Sequence, residues 1–169
     1  MEGGIYLVTF TTTHRQPLFA HDGRAALAAS ILAHPHHWPT ARLLAWVLMP
    51  DHWHGMVQLA GTESLSRCIS RIKAATTRGM NTCESTTVSP WAPGFHDRAL
   101  RRDESAVDCA RYIVSNPIRA GLVSRCGDYP YWDAVWLEDA LDKDLAGERK
   151  RTAVASKLAP IRCRLQPPR

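Results

Sequence analysis

Two histidines separated by one tryptophan, His52 and His54, lie within the apolar stretch AWVLMPDHWHGMVQL (45–59). Successive side chains of a β-strand point to opposite faces, so the two imidazoles would share one face and Trp53 would lie on the other. Two imidazoles on one face can hold a divalent metal ion. The alternative is a pair of histidines hydrogen-bonded at a strand end, and the pattern taken alone favours that alternative.

A second candidate for chemistry is Tyr112, within the predicted helix 104–116. Placing residues at 100° per step gives this helix an apolar face centred on Ala110, and Tyr112 lies off that centre. Asn116 is its neighbour one helical turn later. A tyrosine at the edge of a core-facing helix is usually a packing residue, but its phenol can also act as a nucleophile. Its role therefore depends on the residues around it.

Hydrophobic periodicity and turn residues indicate the elements that position these side chains. The predicted strands are 5–12, 42–49, 52–59 and 94–101, and the predicted helices are 23–34, 62–79 and 104–116. Gly79 is expected to end the second helix, and Asp103 to cap the third. The order β-α-β-β-α-β, followed by a further helix, predicts an α+β fold of the ferredoxin-like, or split βαβ, type. In this fold an antiparallel sheet packs against helices, and the extra helix would carry Tyr112.

Length and composition predict one cytoplasmic domain. A chain of 169 residues can bury a single core without disulfides or a structural metal. The sequence shows neither an apolar run of membrane-spanning length nor an export signal. Its cysteines are not arranged in the pairs typical of zinc sites, so we expect reduced thiols. They are found at positions 68, 83, 109, 126 and 163.

The positive net charge is concentrated at the end of the chain. Residues 143–169 contain eight Lys or Arg and two Asp or Glu, whereas residues 1–142 are nearly neutral. We therefore expect a folded domain over 1–142 and a basic, flexible tail over 143–169. Such a tail is either a solubilising end or an arm that contacts phosphates.

Four segments resemble the successive motifs of the REP-associated tyrosine transposases, relatives of the single-tyrosine HUH transposases of bacterial insertion sequences. The segments are MPDHWHGMVQL (49–59), GFHDRALRRDE (94–104), ARYIVSNPIRAGLV (110–123) and YWDAVW (131–136). The resemblance runs from about residue 5 to residue 136. The histidine pair is a weak signal by itself, but together with Y-x3-NP-x-RAGLV in the same order it is specific.

The resemblance implies roles for individual residues. His52 and His54 would be metal ligands, Asn116 a third ligand, and Tyr112 the nucleophile. Relatives commonly have glutamine where Asn116 stands. Asp108, one turn before the tyrosine, is either a competing carboxylate or a solvated helix position. Oxygen and imidazole ligands suit Mg²⁺ or Mn²⁺.

The implied reaction is cleavage and rejoining of single-stranded DNA at repetitive palindromic (REP) hairpins, through a 5′-phosphotyrosine. The expected partner is single-stranded or hairpin DNA, with no membrane contact, and the family branch favours a monomer over a dimer. Basic side chains commonly hold the DNA backbone. The candidates here are Arg98, Arg101, Arg102, Arg119, Arg67, Arg71 and Lys73.

Two other functions compete with this interpretation. The chain could bind hairpins without cleaving them, although the presence of both histidines and Tyr112 favours cleavage. A small RNA-binding domain of ferredoxin-like fold would instead use aromatic side chains on the sheet face, for which Trp53 and Phe10 are the candidates. That function leaves the histidine pair unexplained.

Overall fold

Five strands form one antiparallel sheet in a computed structural model, which describes residues 3–84 and 87–136. The strands are β1 (Ile5–Thr11), β2 (Ala41–Met49), β3 (His52–Leu59), β4 (His96–Ala99) and β5 (Trp132–Ala134). Their order across the sheet is β4-β1-β3-β2-β5. The first four strands follow the split βαβ arrangement, so the predicted ferredoxin-like fold is confirmed. β5 was not predicted, because three residues are too few to show a periodicity.

Helices pack on both faces of this sheet. They are α1 (Asp22–Ala33), α2 (Leu65–Glu84), α3 (Ala106–Val114) and α4 (Asn116–Arg119). α1 packs against α2, and Lys73 of α2 lies over the ring of Phe10, which places this pair on the face to which Phe10 points. α3 packs on β2, β3 and β5 from the face that carries His54. The predicted extra helix with Tyr112 is therefore the layer opposite α1 and α2.

The apolar run 43–49 of β2 follows from this layering. Residues 44–49 are buried without alternation, because α3 packs on the strand from one side and α1 from the other. An apolar run without alternation, as at 43–49, predicts a strand covered on both faces, and the structure confirms that prediction.

Trp53 anchors β3 in the layer of α1 and α2. Its side chain is fully buried between two aromatic rings, Phe10 at a centroid distance of 4.9 Å and Trp38 at 6.1 Å. Both neighbours are nearly parallel to the indole, with interplanar angles of 20° and 23°. This aromatic stack holds the strand from behind, so the face that carries His52 and His54 has a rigid backing.

α2 is longer than predicted, and Gly79 does not end it. The helix continues to Glu84, and Gly79 lies within it at the point where α2 packs against α1. A Cβ atom at Gly79 would clash with the Ile31 side chain of α1. The glycine therefore permits close helix packing, a tertiary requirement that looks the same in sequence as a helix stop.

The tyrosine helix begins and ends differently from the prediction. Ser105, and not Asp103, caps α3, and its side chain accepts a hydrogen bond from the Asp108 backbone N–H. α3 ends at Val114, and Asn116 opens the short helix α4. Proline near the start of a helix needs no hydrogen-bond acceptor, so the Pro that follows Asn116 begins a new turn at this point.

The basic tail 143–169 and the boundary at residue 142 lie outside the described residues, so both stay predictions. Across residues 3–84 and 87–136, no helix is both long and apolar enough to cross a bilayer.

Gly55 is expected to be intolerant of any side chain. A Cβ atom there would overlap the Trp53 ring, which cannot move aside because Phe10 and Trp38 enclose it. We expect Gly55→Ala to lower the free energy of unfolding by about 1 to 3 kcal/mol, measured by urea denaturation. Gly23→Ala in α1 is the matched control, because nothing lies within 4 Å of its new methyl group. An unchanged urea midpoint for Gly55→Ala would mean that the aromatic stack can shift.

Candidate functional site

A cavity of about 620 Å³ lies between α3 and the sheet. Its lining includes Leu7 and Thr9 of β1, His54 of β3, Arg98 of β4, and Asp108 and Tyr112 of α3. His54 and Tyr112, which are far apart in sequence, therefore line one cavity. His52 and Asn116 are not among its lining residues.

His54 is well placed to act as a neutral ligand. Burial lowers the pKa of His54 to about 4, and the nearby His52 adds to the effect. The imidazole is therefore uncharged at neutral pH, which is the protonation state in which histidine binds a metal ion.

His52 has a carboxylate partner. Its Nδ1 lies 2.6 Å from Oδ1 of Asp51, and Oδ2 of the same carboxylate lies 3.2 Å from the Arg15 guanidinium. Burial by itself would raise the pKa of Asp51, but the hydrogen bond from His52 and the charge of Arg15 hold it below its usual value. Asp51 is therefore ionised at neutral pH, and its oxygens accept hydrogen bonds from both neighbours.

Tyr112 is half exposed on the surface of α3, at 50% of its full accessibility. The guanidinium of Arg119, from α4, lies 4.2 Å from the centre of its ring. A cation over an aromatic face is attracted to it, so this contact places a positive charge beside the phenol. The structure thus brings together a candidate nucleophile and one of the predicted phosphate contacts.

Asn116 is held by the preceding helix, α3. Its side-chain amide donates to the carbonyl of Ile113 at 2.9 Å and, more weakly, to that of Tyr112 at 3.5 Å. These bonds use the amide nitrogen, which leaves the amide oxygen as the atom that could approach a cation. The role of Asn116 as a third ligand stays a prediction.

The predicted DNA-contacting side chains fall into two groups. Arg98 lines the cavity and donates to both carboxylate oxygens of Glu104, at 2.8 and 2.6 Å. Four further candidates belong with Arg98 to the solvent-exposed group: Arg67, Arg101, Arg102 and Arg119.

Arg71 and Lys73 make internal contacts instead. Arg71 pairs with Glu63 and donates to the His37 carbonyl, and Lys73 donates to the carbonyls of Ala92 and Gly94 at 2.6 and 2.7 Å. These contacts tie α2 to neighbouring loops. Whether either residue also contacts DNA stays a prediction.

The aromatic side chains considered for RNA binding are in the core. Trp53 is fully buried and Phe10 is 1% exposed, so neither can stack on a nucleobase. That interpretation is wrong for these two residues, because the face on which they lie is covered by α1 and α2.

The donor set fits a divalent cation in part. His52 and His54 lie on one face of β3, and the imidazole of His54 is neutral. Within the part of the chain that the structure describes, no three His, Cys, Asp or Glu side chains form a metal-binding group. The histidine pair would therefore need oxygen donors of another kind, such as an amide or a phosphate.

The sequence patterns assigned no role to Asp51 or to Arg15. The signal available for Asp51 was its position directly before the histidine pair, since histidine ligands usually have a carboxylate or carbonyl partner. No local pattern connects Arg15 to this site, because the contact joins two separate loops.

Comparison with known proteins gives consistent similarities. A family model described as "Transposase IS200 like" matches residues 2–116. The REP-associated tyrosine transposase of Escherichia coli K12 is 30% identical over 88 residues, which span 52% of this chain and 50% of that protein. A Haemophilus influenzae relative is 24% identical over 140 residues, covering 77% of this chain and 79% of the relative.

A solved structure of a REP-associated tyrosine transposase bound to a REP hairpin has the same fold. The TM-score is 0.63 at 23% identity, over 87% of this chain and 82% of that one. The family match runs from before β1 to the first residue of α4 and so includes every strand and helix that lines the cavity. The chain therefore belongs to the IS200-like transposase family.

Proposed function

We propose that this protein cleaves and rejoins single-stranded DNA at hairpins, with Tyr112 as the nucleophile and a divalent metal ion held by His52 and His54. The observation that carries the proposal is the shared cavity, in which the half-exposed phenol and the neutral imidazole of His54 line one space. Similarity to transposases of REP elements, one of them bound to a REP hairpin, supports hairpin DNA as the substrate.

The proposed reaction exchanges one phosphoester for another. Tyr112 Oη attacks a DNA phosphorus, the bond from phosphorus to the 3′ oxygen breaks, and a 5′-phosphotyrosine forms. The phenol loses its proton, and the leaving 3′ oxygen gains one. Because one phosphoester bond replaces another, the strand can be rejoined by the reverse reaction without ATP.

The two histidines and Asn116 would hold the metal ion beside the cavity. His52 and His54 would hold Mg²⁺ or Mn²⁺ with the amide oxygen of Asn116. When bound, the ion would supply Lewis-acid polarisation of the scissile phosphate. Tyrosine has an ordinary pKa of about 10, so the reaction also depends on holding the phenol beside the phosphate.

Positive side chains near Tyr112 are the proposed DNA contacts. Arg98 lines the cavity, and Arg119 lies over the Tyr112 ring, so both would neutralise phosphates next to the reacting group. Arg101 and Arg102 continue the basic surface beyond β4, and Arg67 lies on the exposed surface of α2. Arg71 and Lys73 are weaker candidates, because backbone carbonyls of neighbouring loops already accept hydrogen bonds from them.

The test is covalent trapping of DNA by the wild-type protein. Full-length protein is incubated with a 5′- or 3′-labelled single-stranded hairpin and Mn²⁺, then separated on a denaturing gel. A protein-linked band is expected with the label on the 3′ side of the cut, together with a released strand that ends in a 3′-hydroxyl. The band should disappear with EDTA and with fully duplex DNA of the same sequence.

A hairpin-binding protein without cleavage activity is the second candidate. It would bind the same labelled hairpin in a native gel but give no protein-linked band under any metal condition. The half-exposed Tyr112 favours cleavage because it lines the same cavity as the neutral imidazole of His54, and strand cleavage requires a nucleophile beside a metal ligand.

A further inference from the structure

We infer that Asp51 is a positioning residue that holds the ring of His52 through Nδ1 and presents Nε2 to the metal ion, with Arg15 holding the carboxylate in turn. The inference rests on the metal site of the proposed function. It assigns roles to two residues outside the histidine pair and the tyrosine helix. It also distinguishes the two histidines, because only the ring of His52 has a carboxylate partner.

The hydrogen bond between Asp51 and His52 determines which ring nitrogen carries the proton. Oδ1 of Asp51 lies 2.6 Å from Nδ1 of His52. An ionised carboxylate only accepts hydrogen bonds, so Nδ1 must carry the hydrogen. In the neutral ring the lone pair is then on Nε2, which is the nitrogen available to a metal ion.

The backbone of Asp51 is fixed by a buried threonine. The carbonyl of Asp51 accepts a hydrogen bond from the Thr12 backbone N–H at 2.8 Å. Thr12 is fully buried, and the carbonyl of the adjacent Pro50 accepts from Phe19 at 3.0 Å. The backbone position of Asp51 is therefore fixed, although the residue lies in the turn between β2 and β3.

The second carboxylate oxygen also has a partner. The Arg15 guanidinium donates to Oδ2 of Asp51 at 3.2 Å, while Oδ1 contacts His52. With a different partner on each oxygen, rotation of the carboxylate would break both contacts. Asp51 is thus oriented as well as placed.

The turn that carries Arg15 has an unusual backbone. His14 and Arg15 have φ values of 55° and 52°, the left-handed region that non-glycine residues seldom adopt. The turn is secured at its far end, where the Thr12 hydroxyl donates to the Gln16 carbonyl at 2.7 Å. Thr12 therefore holds both the turn of Arg15 and the backbone of Asp51, so one buried residue sets the distance between the two charges.

His54 lacks an equivalent partner. Among the hydrogen bonds of residues 3–84 and 87–136, none involves the ring of His54, whereas Nδ1 of His52 contacts Asp51. His54 therefore serves as an internal reference in any measurement on His52. A change confined to His52 reports on Asp51, whereas a change in both rings reports on the strand.

The first measurement reads the His52 tautomer directly in metal-free protein. Full-length protein with ¹⁵N-labelled histidine is studied by long-range ¹H–¹⁵N correlation above pH 7, and His52 is assigned from the signals missing in His52→Ala. We expect a protonated Nδ1 at His52 in wild type. Asp51→Ala should move His52 toward the Nε2-protonated form that an unpaired histidine side chain prefers, with the His54 signals unchanged. Asp51→Asn, whose amide oxygen still accepts, should restore the wild-type tautomer.

The second measurement is Mn²⁺ affinity by calorimetry. Asp51→Ala should weaken binding by roughly 10- to 100-fold, as is usual when the carboxylate partner of a histidine ligand is removed. Arg15→Gln should weaken binding by less, because the bond to His52 survives. Arg24→Gln, which breaks the ion pair with Glu84 in the other helical layer, should leave the affinity unchanged.

Two results would overturn the inference: an Nε2-protonated His52 in wild type, or Asp51→Ala that keeps both the wild-type tautomer and the wild-type Mn²⁺ affinity. A wild-type protein that binds no Mn²⁺ would instead overturn the metal site of the proposed function. The tautomer comparison needs no metal, so it still decides whether Asp51 orients His52.

Discussion

Tyr112→Phe is expected to abolish covalent attachment of hairpin DNA and to reduce cleavage by on the order of 10⁴-fold or more, because the substitution removes the attacking oxygen and nothing else. Hairpin affinity should stay within a few fold of wild type. The phenylalanine ring keeps the face over which the Arg119 guanidinium lies at 4.2 Å, so the proposed DNA-binding surface is preserved. Cleavage is measured with labelled hairpin on denaturing gels, and affinity with the same hairpin on native gels.

Tyr6→Phe is the control for this experiment. It removes a tyrosine hydroxyl from β1, outside the cavity of His54, and should leave the protein-linked band intact. A band that survives in Tyr112→Phe would assign the nucleophile to another residue, and the mass of the DNA-linked peptide would identify it.

His54→Ala is expected to remove Mn²⁺ binding measured by calorimetry and to lower metal-dependent cleavage by about 100-fold or more. The imidazole of His54 is the ligand candidate that lines the cavity with Tyr112, and its low pKa keeps it neutral at the pH of the assay. The fold should persist, because Trp53 and its aromatic neighbours hold β3 from the opposite face. Circular dichroism checks that the variant is folded.

His21→Ala provides the histidine control. His21 is exposed and its side chain does not cap α1, so Mn²⁺ binding and cleavage should match wild type. If His54→Ala binds Mn²⁺ as wild type does, the histidine pair is structural. The simple alternative for a His-x-His pattern would then be correct.

Local sequence determined much of the fold. Alternation along 52–59 predicted that His52 and His54 share a face, and the burial of Trp53 on the other face agrees with it. The unbroken apolar run before Pro50 predicted burial on both sides, as β2 has. These features depend on the two-residue period of a strand and on local hydrophobicity, both of which can be read from neighbouring residues.

The pairing of chemical groups was decided by the tertiary structure. His54 and Tyr112 line one cavity because α3 crosses the sheet face opposite α1 and α2, and neither helix face nor strand face alone specifies that crossing. The partners of Lys73 were also decided by the tertiary structure. The sequence indicated a candidate DNA contact, whereas in the structure the ammonium group donates to two loop carbonyls. A long side chain bonds to whichever groups lie near it in the folded chain, and sequence spacing does not specify those groups.

The sequence by itself determined the ferredoxin-like fold, the shared face of the histidines and the position of Tyr112 at the edge of its helix. Tertiary structure alone decided that Gly79 permits close helix packing instead of ending α2, and that Arg15 and Asp51 meet beside His52. The reason is physical. Periodicity records which side of an element is buried, whereas a contact between two loops depends on how the whole chain packs.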